Sequence, residues 1–254
     1  MWRGDTLFLL QNLVLKDFRV RYRNMSLGVL WSLLNPLIMM GVLTFIFTKI
    51  FAQAHDRNFP LYVLCGLVPL NFFTLAWGTG ASSILDNAPL IKKVPVPRQV
   101  FPIAIVLSNC LHLLIQIGLL LGLVVVFGRG VNIHWLWLPL IWGLEVLFVM
   151  GLAMAFSAIN VYVRDTRYLI ESTNTVLFWL VPVFYSFALI PARFRGLYEI
   201  NPVAALVLMM RNVLLEGHAP LASTLIRLAI VSFGMFGIGW YVFGKLKNGF
   251  YARL

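Results

Sequence analysis

Charged residues are scarce in this sequence, and negative charge is scarcer than positive charge. Of the 254 residues only 11% are charged and 61% are hydrophobic, with 20 lysines and arginines against 9 aspartates and glutamates. A soluble domain usually has about a quarter charged residues and just under half apolar ones. One compact core cannot hide so much apolar surface, so the composition predicts that much of the surface faces lipid.

The excess of positive charge has two common explanations. A net charge of +11 is compatible with binding to nucleic acid, whose phosphates attract basic proteins. In a chain this apolar, however, basic residues more often mark cytoplasmic loops and lie against anionic lipid headgroups. We therefore favour a membrane protein over a nucleic-acid-binding one.

Sequence motifs for catalysis, cofactors and metals are also missing. The two cysteines, Cys65 and Cys110, have neither CxxC spacing nor a nearby His/Cys cluster, so they indicate no metal site and no disulfide framework. The sequence contains no GxxxxGK(S/T) phosphate loop, no HExxH and no GxSxG, and its few acids are scattered. We expect a chain that is not an enzyme and holds no cofactor. Energy for any work would then come from another chain or from an ion gradient.

Gaps between charges locate the membrane spans. Apart from Glu145, no acid or lysine/arginine occurs in residues 24–48, 58–85, 99–128, 130–163, 172–192 and 228–244. A helix needs about 20 mostly apolar residues to cross the hydrocarbon core. The gaps therefore predict an all-α integral membrane protein with six transmembrane helices, near residues 29–49, 61–82, 101–127, 135–159, 173–190 and 224–244.

Two other segments complete a single transmembrane domain over residues 1–254. Four apolar residues share one helical face near the N-terminus: Leu10, Leu13, Val14 and Phe18. This pattern predicts an amphipathic interfacial helix in residues 1–23. An ordinary basic segment beside a membrane span explains the pattern nearly as well. The stretch from Ile200 to Met210 is apolar but too short to cross, so we predict a re-entrant helical hairpin. The predicted regions are the interfacial helix 1–23, spans one to five in 24–190, an external re-entrant region 191–222, and the sixth span with its tail in 223–254.

Basic residues in the loops predict the orientation. On the N-terminal side they are Arg3, Lys16, Arg19, Arg21, Arg23, Lys92, Lys93, Arg98, Arg164, Arg167, Lys245, Lys247 and Arg253. On the other side the first and third loops have little beyond Lys49, Arg57 and Arg129, although the fifth loop has Arg193, Arg195 and Arg211. Because cytoplasmic loops are enriched in lysine and arginine, both termini are expected to be cytoplasmic.

Polar residues inside the predicted spans have alternative interpretations. Glu145 is the one acid deep in a span, where a charge is costly and suggests a function such as proton coupling. A hydrogen bond to a neighbouring helix near His112 is the interpretation that we favour. Asn109, His112 and Gln116 share one face of the third span, which either lines a wet path or binds another helix.

Aromatic residues give a signal for a substrate path. The rings that we select as channel-lining candidates are Phe72, Trp77, Phe178, Trp179 and Tyr185. Aromatic faces stack on the C–H faces of sugars, and tyrosine and tryptophan also offer a polar group. Core packing or contact with lipid is the better explanation for any single ring, so the prediction rests on the set.

Several ordered segments together resemble the membrane subunit of ABC-2 type polysaccharide exporters, the family that exports O-antigen, capsule and teichoic acid. They are Arg21-Tyr22-Arg23, Leu27-Gly28-Val29-Leu30-Trp31, Asn35-Pro36-Leu37, Leu90-Ile91-Lys92-Lys93-Val94-Pro95, Val163-Arg164-Asp165, Pro182-Val183-Phe184-Tyr185, Asn201-Pro202 and Arg211-Asn212-Val213-Leu214-Leu215-Glu216-Gly217. Each motif is weak alone, but their order and spacing cover nearly the whole chain.

The resemblance implies a bacterial inner-membrane exporter. Two copies of this chain would enclose a channel for a lipid-linked polysaccharide, and two copies of a separate ATPase would bind ATP and Mg. The implied ATPase-coupling residues are Asp86, Asn87, Pro89, Leu90, Lys92, Lys93, Arg164 and Asp165. Arg19, Arg21 and Arg23 would lie near lipid phosphates where the substrate enters, and the hairpin from Pro191 to Gly217 would gate the external end. The alternative is an ion-coupled secondary transporter that uses Glu145 and His112.

Overall fold

A computed structural model describes residues 5–23, 25–51, 58–94, 96–127 and 130–253. Within those ranges the α-helices are α1 Thr6–Tyr22, α2 Trp31–Phe45, α3 Phe59–Asp86, α4 Ala88–Lys93, α5 Val100–Val126, α6 Leu138–Tyr162, α7 Thr166–Leu180, α8 Ala192–Ile200, α9 Pro202–Arg211 and α10 Ala222–Leu246. Four residues used in the sequence argument, Arg3, Arg57, Pro95 and Arg129, lie outside the described ranges.

Five helical segments are long and apolar enough to cross a membrane. With their 3-10 and π-helical ends they are Gly28–Ile50, Phe59–Lys93, Val100–Val126, Ile133–Tyr162 and Ala222–Tyr251. They coincide with the first four predicted spans and the sixth. The all-helical membrane fold expected from the charge gaps is confirmed.

The fifth predicted span has different bounds. Helix α7 covers Thr166–Leu180 and has 15 residues, fewer than the roughly 20 that a crossing needs. It ends before Pro182 because Val181, the residue before proline, is extended, with φ −74° and ψ 133°. The helix also begins earlier than predicted, at Thr166, and its first turns include an i,i+4 ion pair of 3.0 Å between Arg167 and Glu171 on the surface. The predicted bounds 173–190 are therefore wrong.

Helix α7 and the segment after it nevertheless run along the whole length of α3. Asn174 in α7 donates a hydrogen bond of 3.4 Å to the main-chain oxygen of Thr74, in the middle of α3. The hydroxyl of Tyr62, near the start of α3, donates to the main-chain oxygen of Tyr185 at 2.8 Å. Residues 166–185 therefore run antiparallel to α3, and a total of six crossings stays a prediction.

The predicted pair of short helices before the last span is present. Helices α8 and α9 meet at Asn201, whose side chain accepts a hydrogen bond of 3.0 Å from the Val203 amide. An asparagine cap followed by proline at the first helical position favours a helix start at this point. Helix α9 is buried against α3, α6 and α10.

The predicted N-terminal amphipathic helix is also present as α1. It begins after Asp5, whose carboxylate accepts hydrogen bonds from the amides of Leu7 at 2.8 Å and Phe8 at 3.3 Å. Leu13 is buried on the face that packs along α5, whereas Leu7, Phe8 and Leu15 are exposed. Apolar residues on the outer face suit a helix lying against lipid headgroups.

Close contact between α6 and α10 depends on glycine. A side chain at Gly151 would place its Cβ 2.6 Å from the Phe236 amide nitrogen, and a Cβ at Gly239 would meet the backbone of Gly151. Small residues at such positions let two membrane helices approach closely. The pair α6 and α10 therefore forms one rigid side of the bundle.

The buried apolar residues form two separate clusters. The larger one surrounds α3. The smaller one, called here the terminal cluster, consists of Leu13, Ile84, Ile91, Val96, Phe101, Ala104, Met154, Ala158, Val161, Phe243 and Phe250. It joins α1, α3, α4, α5, α6, α10 and the C-terminal segment at one end of the bundle, called the terminal end below.

Candidate transport pathway and docking face

The positions of helix α3 that are not buried are mostly polar, whereas a helix that faces lipid has apolar residues at such positions. Between residues 71 and 86, the positions that are not buried are Asn71, Thr74, Leu75, Gly78, Thr79, Ser82, Leu85 and Asp86. Six of these eight are polar or glycine, and their spacing of three or four residues forms one stripe along the helix. We call it the α3 stripe. The sequence analysis missed it, although the spacing is visible in the sequence.

Two cavities lie along the α3 stripe. One of about 630 Å³ extends towards α1, α2 and α5, and its lining includes Asn71, Thr79 and Gln116. Another of about 330 Å³ lies between α3 and α7, and its lining includes Asp86 and Thr79. Because Thr74, Leu75 and Thr79 line both cavities, the two adjoin along α3 and form one groove with both polar and apolar lining.

The polar face of α5 is occupied by α1 and α2. The Arg21 guanidinium donates a hydrogen bond of 2.7 Å to the Asn109 side chain. The Tyr22 hydroxyl is 2.6 Å from a ring nitrogen of His112, and Gln116 donates to a main-chain oxygen at the start of α2 at 3.2 Å. Of the two interpretations of this face, helix contact is therefore shown, and His112 and Gln116 also line the groove.

The five candidate channel aromatics separate into two groups. Phe72 and Trp77 are buried in the core around α3, so within this chain their rings do not reach the groove surface. Phe178 and Trp179 lie edge to face with centroids 5.5 Å apart at the end of α7, and Trp179 is 63% exposed. The Tyr185 hydroxyl donates to the Trp179 main-chain oxygen at 3.1 Å, which holds this second group together.

The candidate coupling residues lie together at the terminal end. Asp86, Pro89, Lys92, Lys93, Arg164 and Asp165 are exposed, whereas Asn87 and Leu90 are half-buried. The segment from Ala88 to Lys93 is the short helix α4. Asn87 connects it to α3 and α1, because its amide donates to the Ser83 main-chain oxygen at 2.8 Å and its oxygen accepts from Lys16 at 3.3 Å.

The three candidate lipid-phosphate arginines differ in their surroundings. Arg19 and Arg23 are exposed and line a cavity of about 660 Å³ together with Lys16. Arg21 is instead bound to α5, and burial lowers the pKa of its guanidinium. Burial likewise raises the pKa of the neighbouring Asp17 carboxyl above its usual range. Two of the three arginines are thus available to an anion.

Glu145 is fully buried in α6. Within the described part of the chain, neither of its carboxylate oxygens has a hydrogen-bond partner. The expected hydrogen bond to a neighbouring helix is therefore wrong. A proton relay through Glu145 would also require a partner group that can exchange the proton, and His112 bonds Tyr22 of α1 instead.

Comparison with known proteins gives a consistent result. Residues 9–215 match the family described as ABC-2 type transporter. The chain is 31% identical over 247 residues to an O-antigen export system permease protein RfbA of Klebsiella pneumoniae, covering 97% of this chain and 93% of the relative. It is 32% identical over 226 residues to a protein of the same description from Myxococcus xanthus, covering 88% and 86%. It is 24% identical over 212 residues to the polysialic acid transport protein KpsM of Escherichia coli, covering 81% of each chain.

These relatives are named as permease and transport proteins. The family match spans every candidate residue identified above, and the helical bundle contains five segments suited to a bilayer. The chain is therefore a membrane-embedded member of the ABC-2 type transporter family.

Proposed function

We propose that this chain is the membrane subunit of an ATP-driven exporter that moves a lipid-linked polysaccharide across the bacterial inner membrane. The names of its relatives, O-antigen export permease and polysialic acid transport protein, support a polysaccharide as the substrate. The substrate would be an O-antigen-like, capsular or teichoic polymer on a lipid carrier. Both termini would be cytoplasmic, as the basic loops predict.

The single observation that carries the proposal is the polar α3 stripe. Outward-facing positions of α10 include Ile226, Ile230 and Phe233, which suit hydrocarbon. The corresponding positions of α3 include Thr74 and Ser82, whose hydroxyls donate to main-chain oxygens of α3 itself and whose remaining lone pairs hydrocarbon cannot satisfy. The α3 stripe therefore suits a hydrated path, and sugar hydroxyls are groups that such side chains bind.

A second copy of the chain would close the groove. Besides the α3 stripe, the open face of α7 also has polar side chains, Glu171, Ser172 and Thr175. Polar groups at membrane depth usually face a protein neighbour or a water-filled cavity. Two copies related by a two-fold axis would place both grooves around one channel. Trp179 and Tyr185 would then lie towards its external end, where their rings suit weak stacking on sugars.

The terminal end supplies the proposed contact with a separate ATPase. Lys92 and Lys93 complete the last turn of α4, and Arg164 and Asp165 form the exposed turn between α6 and α7. ATP and Mg would bind to the partner subunit, two copies of which would serve the homodimer. Closure of the ATPase pair would push on these turns and change the width of the channel.

Arg19 and Arg23 are the proposed contacts for the phosphates of the lipid carrier. Both are exposed on α1 beside the cavity of about 660 Å³, and guanidinium groups bind phosphate oxygens in a bidentate manner. Arg21 would act indirectly, because its bond to Asn109 fixes α1 on the bundle. At the other end of the path, α8 and α9 within residues 191–222 would form the external gate.

The first test is purification of the chain from native membranes under gentle conditions. Co-elution of an ATPase at equal stoichiometry is the expected result. A homomer without an ATPase at native expression levels would contradict the proposal and would turn attention to an ion-coupled transporter.

The second test fills the groove. The Cβ of a side chain at Gly78 would have nothing within 4 Å, and the same holds at Gly234 on the outer face of α10. Gly78→Phe is therefore expected to reduce surface polymer strongly without loss of ATPase binding, whereas the matched control Gly234→Phe leaves export unchanged. Normal export by Gly78→Phe would show that the α3 stripe is not the path.

A further inference from the structure

The C-terminal segment Lys247–Ala252 turns back onto the terminal end of the bundle as a 3-10 helix. Its Phe250 side chain is 0% exposed. The ring lies edge to face with Phe243 of α10, with centroids 5.6 Å apart, and 6.4 Å from the ring of Tyr162 at the end of α6. The segment is therefore inserted between structural elements rather than lying loose beyond the last span.

Arg98, in the loop between α4 and α5, holds this segment. Its guanidinium lies 4.5 Å from the Tyr251 ring centroid and 5.7 Å from that of Phe250, and it donates a hydrogen bond to the main-chain oxygen of Lys247. The Tyr251 hydroxyl in turn donates to the main-chain oxygen of Ile91 in α4 at 3.5 Å. Stacking of a guanidinium on aromatic faces combines a cation–π attraction with a fixed geometry.

The same segment is also joined to α6. The Tyr162 hydroxyl donates a hydrogen bond of 2.9 Å to the main-chain oxygen of Leu246. Gly249 lies so close that a Cβ at that position would meet the Tyr162 hydroxyl. The C-terminal segment thus contacts α4, α6 and α10 together, and both Phe250 and Ile91 belong to the terminal cluster.

Helix α4 depends on these contacts for its position. It has six residues, and a helix so short is not stable alone in water. The side chains of Lys92 and Lys93 are exposed and do not anchor α4 to the described surface of the bundle. Buried Ile91, the link through Asn87 to α3 and α1, and the contacts from residues 247–251 align it with the long helices.

We infer that residues 247–251, together with Arg98 and Tyr162, form a clamp that transmits movement of α4 to α6 and α10. Phe250 and Arg98 are positioning residues in this clamp. The inference rests on the proposed function, in which α4 is the element that the ATPase moves. Because α6 and α10 are closely packed at Gly151 and Gly239, the clamp connects α4 to that pair of helices. Without it, α4 would stay joined to α3 through Asn87 but would lose its connection to α6 and α10.

Two variants open the clamp in different ways. Phe250→Ala removes the inserted ring, and Gly249→Val displaces the Tyr162 hydroxyl without deleting any contacting side chain. Phe250→Leu keeps an apolar side chain of similar size and serves as the conservative replacement. Tyr241→Ala, at an exposed position of α10, is the matched control for loss of an aromatic ring.

The functional measurement is polymer exported per ATP hydrolysed, in proteoliposomes that contain the chain and its partner. We expect Phe250→Ala and Gly249→Val to lower this ratio roughly 2- to 30-fold, the range over which single substitutions change coupling between sites. ATP hydrolysis itself should persist, Phe250→Leu should restore most of the ratio, and Tyr241→Ala should match the unaltered chain. An unchanged ratio in both clamp variants would overturn the inference.

A distance measurement tests the clamp without the partner. Spin labels at Lys92 and Asn248, both exposed, should give a narrow distance distribution in the purified full chain and a broad one after Phe250→Ala. No broadening would overturn the clamp even if export fell. Absence of an ATPase from the unaltered complex would instead defeat the proposed function, and the coupling role with it, while the labels still report whether residues 247–251 hold α4.

Discussion

Replacement of Arg211 by methionine is expected to loosen the end of the bundle opposite the terminal end. Arg211 ends α9 and is 3% exposed. Its guanidinium donates to the main-chain oxygen of Val183 at 2.6 Å and to the Tyr62 hydroxyl at 2.7 Å, and it lies 3.4 Å from the Tyr62 ring centroid. One side chain thus joins α9, α3 and the non-helical segment after α7.

The magnitude follows from two opposing terms. Hydrogen bonds from a charged donor contribute about 1.5–3 kcal/mol each, so the two short bonds together contribute roughly 3–6 kcal/mol. Burying arginine at membrane depth costs about 2.5–3.5 kcal/mol, which methionine does not incur. At matching ends of these two ranges, the difference leaves an expected loss of about 0.5–2.5 kcal/mol for Arg211→Met. Arg211→Lys should lose a similar amount, because lysine keeps the charge but not the planar fork that reaches both acceptors.

Cys65 provides a local assay. It is a free, buried cysteine one turn of α3 beyond Tyr62. In a variant with Cys110 replaced by serine, Cys65 is the single thiol, and it lies close to the contact between Tyr62 and Arg211. A loss of about 0.5–2.5 kcal/mol corresponds to a roughly 2- to 60-fold change in an equilibrium, and thiol labelling in detergent should accelerate by that factor. Arg193→Gln, at an exposed position of α8, is the control. Equal labelling rates with and without Arg211 would refute this account of its role.

Two further predictions concern α6. Gly151→Leu is expected to abolish folding, because even its Cβ would lie 2.5 Å from the Met235 backbone. Gly143→Leu, with open space at its Cβ, should fold normally. The amount of monodisperse protein in detergent measures both outcomes. Glu145→Gln should leave export and thermal stability unchanged, since glutamine has the same shape as glutamate. A buried carboxyl group without a partner favours the uncharged form, so the substitution removes no charge from the core. Loss of transport with intact assembly in Glu145→Gln would support the ion-coupled alternative instead.

The sequence by itself determined where the long helices lie. Charges are too costly to leave in hydrocarbon, so their gaps mark the spans, and the predicted ranges 61–82 and 101–127 match Phe59–Asp86 and Val100–Val126 closely. The short helices at 192–211 were predictable for the same reason, because an apolar stretch bounded by Asn201-Pro202 and Arg211 is too short to cross.

The same rule failed for α7, and the failure has a physical cause. The charge gap suggested a helix from residue 173 to residue 190, but Pro182 ends it at Leu180, and its first six residues, which include Arg167 and Glu171, lie outside the gap. Proline geometry acts locally and overrides the average hydropathy of a window, and charges limit an apolar stretch without limiting a helix. The sequence contained the proline signal, although the span assignment did not use it.

Only the tertiary structure decided which side of each helix is covered. Periodicity places Phe72 and Trp77 on a helix but does not say that the core around α3 covers both rings. It places Asn109 and His112 on one face of α5 but does not say that Arg21 and Tyr22 of α1 bind that face. Such neighbours come from distant parts of the chain, so their identity depends on how the helices assemble.

The contact between the C-terminal segment and α4 is a clear example of a contact that the sequence alone does not reveal. Arg98 and Phe250 are 152 positions apart in the sequence, and in isolation each looks like a common residue of a basic loop or an apolar tail. Folding brings the guanidinium to the aromatic rings and buries Phe250 completely. The sequence determined the membrane fold because the energy of burying charge is local, whereas the groove and the clamp arise from the assembled helices.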